Sequence, residues 1–377
     1  MSHLRVRVAA VITPFHVDIP ETDLADLRER LRRTRWPEPE TVHDWSQGVP
    51  LAYLRDLCGY WADGYDWRAT QRRLNALPHY RTVVDGAGIH FVHVRSARPD
   101  ALPLVLTNGW PGTITEYLEV IEPLAERFHV VCPTLPGYGF SDKPDRTGWG
   151  VRRVADAWAE LMTRLGYRRF GAAGSDWGTS VSTCLAQQHP DRLAGIHLVP
   201  PLAAPDPATF EELTDAERAS LADLDEARRT GSGYGRMHAT RPQTIGYSLV
   251  DSPVGLCAWI AEKYVAWTDT TPSRDQILDA VTIYWLTRSG ASSARLYWES
   301  FAEVESWFAE STVDTVAAPT GCSIYPAENP RASRRWAERR FTDIRHWHEL
   351  EAGGHFAALE QPDSFVAELT AFFALVS

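Results

Sequence analysis

The feature that most constrains this chain is a rhythm of short apolar runs, at 104–107, 130–132, 170–173 and 196–199, separated by stretches with helical spacing. Runs this short and this apolar are strands buried on both faces. Strands alternating with helices build a parallel sheet covered on each side. The intervening helices are expected over 116–127, 151–165 and 179–189, so the chain reads as α/β with a mostly parallel central sheet. The sheet begins near Tyr80, where 81–85 and 89–95 alternate apolar and polar residues around Asp85-Gly86-Ala87-Gly88, a hairpin signature.

After Pro200-Pro201 the rhythm stops, and helical patterns at 216–228, 255–267 and 276–285 take its place. It returns at 320–325 and 344–350, with a helix at 334–340 between them and a closing helix over 364–373. A helical insertion in a continuous sheet explains this interruption. Upstream, 21–36 places Leu24, Leu27 and Leu31 on one helical face, with acids early and arginines late, as the helix dipole favours. The aromatic residues of 37–80 lack a regular period, which predicts a meander packed on a larger body. The expected organisation is an N-terminal extension over 1–80, core over 81–200, a helical lid over 201–312, and core again over 313–377.

Composition narrows the function. The 38 basic side chains, all arginine but Lys143 and Lys263, are outnumbered by 49 acidic ones, for a net charge of −11. An acidic balance opposes phosphate backbones and anionic headgroups, which excludes nucleic acid and membrane surfaces as natural partners and favours a small neutral molecule. Five cysteines without CxxC spacing read as buried thiols in a reducing compartment, with no disulfide and no zinc. The apolar run at 8–12 is too short for a secretory segment or a membrane anchor, which points to the cytoplasm.

The chemistry concentrates at Gly174-Ser175-Asp176-Trp177-Gly178, between the run at 170–173 and the next helix. A strand entering a helix through flanking glycines is the nucleophile-elbow context, in which a strained turn lifts the central side chain into solvent. The central residue is Asp176, so the nucleophile is a carboxylate. An ester formed on it must be hydrolysed by activated water, which calls for a histidine. His355 in Gly353-Gly354-His355-Phe356 follows the last strand, and Glu328, after the strand ending near Tyr325, is the acid to orient it. Asn108-Gly109-Trp110-Pro111 follows the run at 104–107, where the amides of Trp110 and Trp177 would make an oxyanion hole.

These marks, with Arg35-Trp36-Pro37, Pro136-Gly137-Tyr138-Gly139-Phe140-Ser141, Asp251-Ser252-Pro253-Val254-Gly255, Tyr284-Trp285 and Gly353-Gly354-His355-Phe356-Ala357-Ala358, resemble the α/β-hydrolase-fold epoxide hydrolases of the microsomal type. The resemblance covers nearly the whole chain, including the N-terminal extension, and extends loosely to enzymes of bacterial secondary metabolism such as those acting on enediyne antibiotic intermediates. It implies conversion of an epoxide to a vicinal diol through an ester on Asp176, with no metal or organic cofactor. It also implies two lid tyrosines that donate to the epoxide oxygen, carried over to Tyr234 and Tyr297, with Tyr247, Tyr264 and Tyr284 as competitors. One departure is Asn108, where the family has His; this puts the support of the loop in question.

Two rivals stand beside this reading. A haloalkane dehalogenase would share the aspartate and the tryptophan after it, and a ligand-binding protein would keep the fold without the chemistry. Trp259, Trp267, Trp285, Trp298 and Trp307 in the insertion point to a bulky or aromatic hydrophobic epoxide, with water as co-substrate. Composition leaves a homo-oligomer open.

Overall fold

A computed structural model describes residues 11–308 and 314–377. The sequence reading at 8–10 and the lid boundary at 312 lie outside the described residues.

The chain opens with a short strand β1 (Thr13–Phe15) and helix α1 (Glu21–Arg32), which buries Leu24, Leu27 and Leu31 as the spacing required. Residues 37–80 depart from the expected meander, because 51–75 form two helices, α2 (Leu51–Asp63) and α3 (Trp67–Asn75). The periodicity was carried by Leu54, Leu57, Cys58, Trp61 and Ala62, all buried on one face. The partly exposed Tyr53 and Tyr60 masked it. Strands β2 (His79–Val84) and β3 (Ala87–Val94) pair antiparallel down to Val84 opposite Ala87. The turn is therefore only Asp85-Gly86, both at positive φ, the conformation a tight twisted hairpin requires.

The α/β rhythm follows as β4 (Leu102–Thr107), α4 (Ile121–Ala125), β5 (Phe128–Pro133), α5 (Val151–Arg164), β6 (Phe170–Ser175), α6 (Trp177–Gln188) and β7 (Leu193–Val199). The helix expected over 116–127 is broken into a 3-10 turn (Ile114–Tyr117) and the short α4. Pro123 is the reason: it has no N–H to bond back to the preceding turn, so it is tolerated only in the first turn of a helix.

The insertion holds α7 (Asp215–Glu226), α8 (Gly233–Thr240), α9 (Pro242–Asp251), α10 (Pro253–Ala266), α11 (Arg274–Leu286) and α12 (Gly290–Ser306). β8 (Thr320–Ile324), α13 (Arg334–Ala337), β9 (Ile344–Glu349), α14 (Ala357–Glu360) and α15 (Pro362–Ala374) complete the chain. The sheet runs β1-β2-β3-β5-β4-β6-β7-β8-β9, parallel from β5 to β9 and antiparallel among β1, β2, β3 and β5.

Side chains alternate between two cores. Val105, Val131 and Ala172 face α5 and α6, while Leu104, Leu106, Val130 and Cys132 face α4 and α15. Phe372 and Phe373 of α15 are fully buried, each contributing roughly 2–3 kcal/mol of apolar transfer. A Cβ on Gly171 would lie 2.4 Å from Phe373, and one on Gly321 2.5 Å from Phe372, so the bare backbone there makes room for the two rings.

The N-terminal helices clamp the insertion. Tyr65 and Thr70 donate to the Asp279 carboxylate at 2.6 and 2.5 Å, and the Trp61 indole donates to Thr282 at 2.9 Å, all on α11. Arg30 reaches the Asp251 carbonyl at 3.0 Å, just before Ser252 caps α10 by accepting from the Gly255 amide. The Asp-Ser-Pro-Val-Gly motif is thus a helix start tied to the extension. Among the described residues, no helix is long and apolar enough to cross a membrane.

Candidate active site

Parallel strands bring the segments after β4, β6, β8 and β9 to one edge of the sheet, where crevices at strand ends form. Asp176 lies between β6 and α6, at the cap of α6, with φ 52° and ψ −125°, a conformation costly for a side chain with a Cβ. The turn is enforced by its neighbours: a Cβ on Gly178 would meet the Thr107 carbonyl oxygen at 1.7 Å, and one on Gly174 the Gly178 carbonyl oxygen at 2.0 Å. Only glycine lets β4, β6 and α6 approach this closely.

The two oxygens of Asp176 have different partners. Oδ1 accepts from the Trp110 amide at 2.8 Å, and Oδ2 lies 3.4 Å from His355 Nε2. A Cβ on Gly109 would lie 1.8 Å from Oδ1 and 2.6 Å from the Trp177 nitrogen, so the carboxylate and that amide border the same small space. His355 Nδ1 pairs with Glu328 Oε1 at 3.0 Å, and its backbone amide donates to the Trp267 carbonyl at 2.9 Å. Glu328 is buried, its Oε1 also accepts from the Asn329 amide at 2.8 Å, and its Oε2 has no partner. Burial alone would depress the imidazole pKa, but Glu328 and Asp176 together hold it well above the ordinary histidine value.

Asn108 shows how the loop is supported without the expected histidine. Its side-chain amide donates to the Thr113 carbonyl at 2.9 Å and to Glu116 Oε2 at 3.0 Å, bracing the turn that presents the Trp110 amide. Burial pushes Glu116 up to about 7, against the lowering effect of that hydrogen bond.

The lid supplies an aromatic wall. Tyr234 on α8 stacks on Trp110 at 4.9 Å and 14°. Tyr297 on α12 meets Trp177 edge to face at 4.8 Å, and the two tyrosine rings lie 5.9 Å apart. Burial first, and then the nearby Asp176 carboxylate, pushes the Tyr234 phenol above the ordinary tyrosine value; burial, Tyr234 and Asp176 do the same for Tyr297. Both phenols are therefore protonated donors at neutral pH. The competing tyrosines are placed elsewhere. Tyr247 is exposed, Tyr264 stacks on Phe356 at 4.1 Å, and Tyr284 donates to the Gly112 carbonyl at 3.3 Å.

Of the five insertion tryptophans, Trp267 borders the site, 4.8 Å from the His355 ring and 5.3 Å from Tyr234, and Trp259 stands one residue deeper, against His238. Trp285 lies under Arg30 and Trp307 under Arg340, and Trp298 is exposed, so these three serve packing and surface. Sequence reasoning passed over His238, Glu116 and Lys263. His238 follows Tyr234 by four residues on α8, a spacing that puts both on one helical face and could have flagged it.

All five cysteines are buried free thiols. Among the described residues, His197, His346 and Glu368 bring three possible metal ligand atoms within 4.8 Å of one another. Glu368 accepts from His346 at 2.7 Å, His348 at 2.7 Å and Ser323 at 2.9 Å, which pins α15 to β8 and β9, and His197 Nε2 pairs with Ser323 at 3.1 Å while its Nδ1 has no partner. None of them contacts Asp176 or His355.

Comparison with known proteins agrees with this geometry. Residues 12–117 match the family model for the epoxide hydrolase N terminus, and residues 103–230 match that for the alpha/beta hydrolase fold. A putative epoxide hydrolase of Stigmatella aurantiaca is 48% identical over 96% of this chain and 84% of its own length. Epoxide hydrolase 1 of Sus scrofa is 30% identical over 97% of this chain and 89% of its own. The solved structure of Aspergillus niger epoxide hydrolase superposes with a TM-score of 0.90, at 32% identity over 98% of this chain and 97% of that one.

Proposed function

The chain belongs to the epoxide hydrolases, built on the α/β-hydrolase fold with an N-terminal extension, and on that premise we propose that Asp176, His355, Glu328, Tyr234 and Tyr297 are its catalytic set. Asp176 Oδ2, the oxygen not tethered by the Trp110 amide, attacks an epoxide carbon. The C–O bond of the three-membered ring breaks as the ester bond forms, and a phenol of Tyr234 or Tyr297 gives its proton to the departing oxygen. Donors placed opposite the attacking carboxylate stabilise charge that exists only in the transition state.

Esterification then changes His355. The neutral ester no longer supports the imidazolium, so one of the two carboxylates that raise its pKa is lost. A neutral imidazole held by Glu328 can take a proton from water as that water attacks the Asp176 carbonyl carbon. Oδ1 becomes the oxyanion, in a hole made by the amides of Trp110 and Trp177. The proton that His355 sheds on esterification re-forms the phenol. Collapse then breaks the acyl–oxygen bond, and the departing alkoxide takes the imidazolium proton to complete the diol. The new carboxyl group returns its proton to His355, which restores the carboxylate and imidazolium. The observation that carries this reading is the pair of inequivalent Asp176 oxygens, one on an amide at 2.8 Å and the other facing the histidine at 3.4 Å.

The aromatic wall suits a bulky or aromatic hydrophobic epoxide, and a loose motif resemblance to microsomal-type enzymes of bacterial secondary metabolism supports reading that substrate as a natural-product intermediate. We read 1–80 as the extension that clamps a lid over 201–312, and the buried free thiols as suited to a reducing cytoplasm.

The test is turnover of racemic styrene oxide to its diol, with chloride release from 1-chlorohexane assayed in parallel. Asp176→Asn should abolish diol formation, and His355→Gln should accumulate protein heavier by one substrate mass. Normal turnover by His355→Gln would refute the mechanism, and chloride release without diol would put the dehalogenase in its place.

A further inference from the structure

His238 is fully buried on α8, one turn beyond Tyr234. Its Nε2 lies 2.9 Å from the Trp259 indole nitrogen. An indole N–H can only donate, so Nε2 accepts and the proton of the neutral ring must sit on Nδ1. Burial, helped by the Lys263 side chain, holds the pKa down to about 3, so the ring is neutral at neutral pH. Nδ1 is buried without a hydrogen-bond partner. A buried N–H without a protein partner is a costly arrangement, and one that an acceptor on a bound molecule would relieve.

The ring sits among the residues that face Asp176. It lies 4.9 Å from Trp110 and from Tyr297, both edge to face, and 5.8 Å from Tyr234. Trp259 fixes the tautomer on one side of the imidazole, and the free donor is left on the other. The reaction itself gives this donor no task, because the phenols supply the proton and His355 activates the water.

We infer that the Nδ1–H of His238 hydrogen-bonds an oxygen substituent beside the oxirane, so that the site prefers epoxides carrying an ether, hydroxyl or carbonyl oxygen over purely hydrocarbon ones. The inference rests on the proposed function and adds the substrate class. A site built around a buried donor discriminates strongly against an analogue that lacks the acceptor, since the donor is then left unpaired.

The test compares phenyl glycidyl ether with 4-phenyl-1,2-epoxybutane, which differ only by an oxygen in place of a methylene. The wild-type ratio of kcat/KM is expected to favour the ether by about tenfold. His238→Phe should bring the ratio close to one, and His238→Gln, whose amide can both accept from Trp259 and donate, should restore most of it. A wild-type ratio near one, or an unchanged ratio in His238→Phe, overturns the inference while leaving the epoxide hydrolase reading intact. Turnover of neither compound by the wild type overturns both. If His238→Phe does not fold, 15N-histidine NMR of the wild type decides. The His238 Nδ1–H resonance, assigned by its loss in His238→Gln, should shift when 3-phenoxy-1,2-propanediol is added, and an unmoved resonance overturns the inference.

Discussion

Glu328→Gln removes a negative charge from beneath His355 while keeping nearly the same shape. The carboxylate is buried, and its Oε1 lies 3.0 Å from the imidazole Nδ1. Two unit charges at 3.0 Å interact by roughly 5.5 kcal/mol at an effective dielectric of about 20. The glutamine carbonyl can still accept from Nδ1–H, a neutral hydrogen bond worth about 1 kcal/mol, which leaves a loss of about 4–5 kcal/mol. That loss falls on the step that makes imidazolium, the attack of water on the ester, and slows it by about 10³-fold. Ester formation depends on Asp176 and the tyrosines, and it should change far less. In a rapid-quench experiment with styrene oxide, intact-mass measurement should show the esterified protein building to nearly one equivalent and decaying about 10³-fold more slowly than in the wild type. Loss of ester formation in step with ester hydrolysis, or decay slowed by less than about tenfold, would refute the assignment of Glu328 as the partner of the base.

Tyr234→Phe and Tyr297→Phe each remove one donor to the developing alkoxide and should lower the rate of ester formation by about 10²- to 10³-fold, with ester hydrolysis nearly unchanged in single-turnover assays. Gly178→Ala drives a methyl group into the Thr107 carbonyl oxygen, 1.7 Å from the Cβ position, in a place where only backbone could yield. A fall in stability of several kcal/mol, seen as a lower urea midpoint, is expected, and an unchanged midpoint would mean that the elbow is looser than drawn. Burial acts to raise the Glu368 pKa, but hydrogen bonds from His346, His348 and Ser323 bring it down to about 2 from 4.5. Because the folded value is the lower one, its contribution to stability is present above pH 4.5 and fades as pH falls towards 2. Glu368→Gln should therefore flatten the dependence of the urea midpoint on pH across this window, and a slope equal to the wild type would show that the carboxylate is not held this way.

What the sequence determined by itself was local. The hairpin at Asp85-Gly86-Ala87-Gly88, the strand at 170–173, the glycine-flanked Asp176 and the helix stripe of Leu24, Leu27 and Leu31 could be read, to within two residues at their ends, because each follows from steric or hydrophobic rules that act over a few residues. Helix α2 carried an equally regular stripe, but its aromatic residues are spread over buried and half-exposed faces, and their spacing hid the pattern of the smaller apolar ones. Pro123 broke a helix that periodicity alone had drawn through it.

Tertiary structure decided what the side chains face. Sequence order could suggest Asp176, Glu328 and His355 as partners, but their distances exist only because parallel strands from separate parts of the chain end at one edge. The tyrosines were named by motif. What sets Tyr234 and Tyr297 apart from Tyr247, Tyr264 and Tyr284 in the fold is how α8 and α12 lie over Trp110 and Trp177. Asn108 is explained only by Glu116, eight positions away and brought back by the turn at Gly112. The spacing of His238 from Tyr234 could place it on the same helical face, but its unpaired donor had no signature, because an unsatisfied donor is defined by what surrounds it. Local geometry is encoded in adjacent residues, whereas burial, charge and hydrogen-bond satisfaction belong to contacts between residues far apart in sequence, which only the folded chain creates.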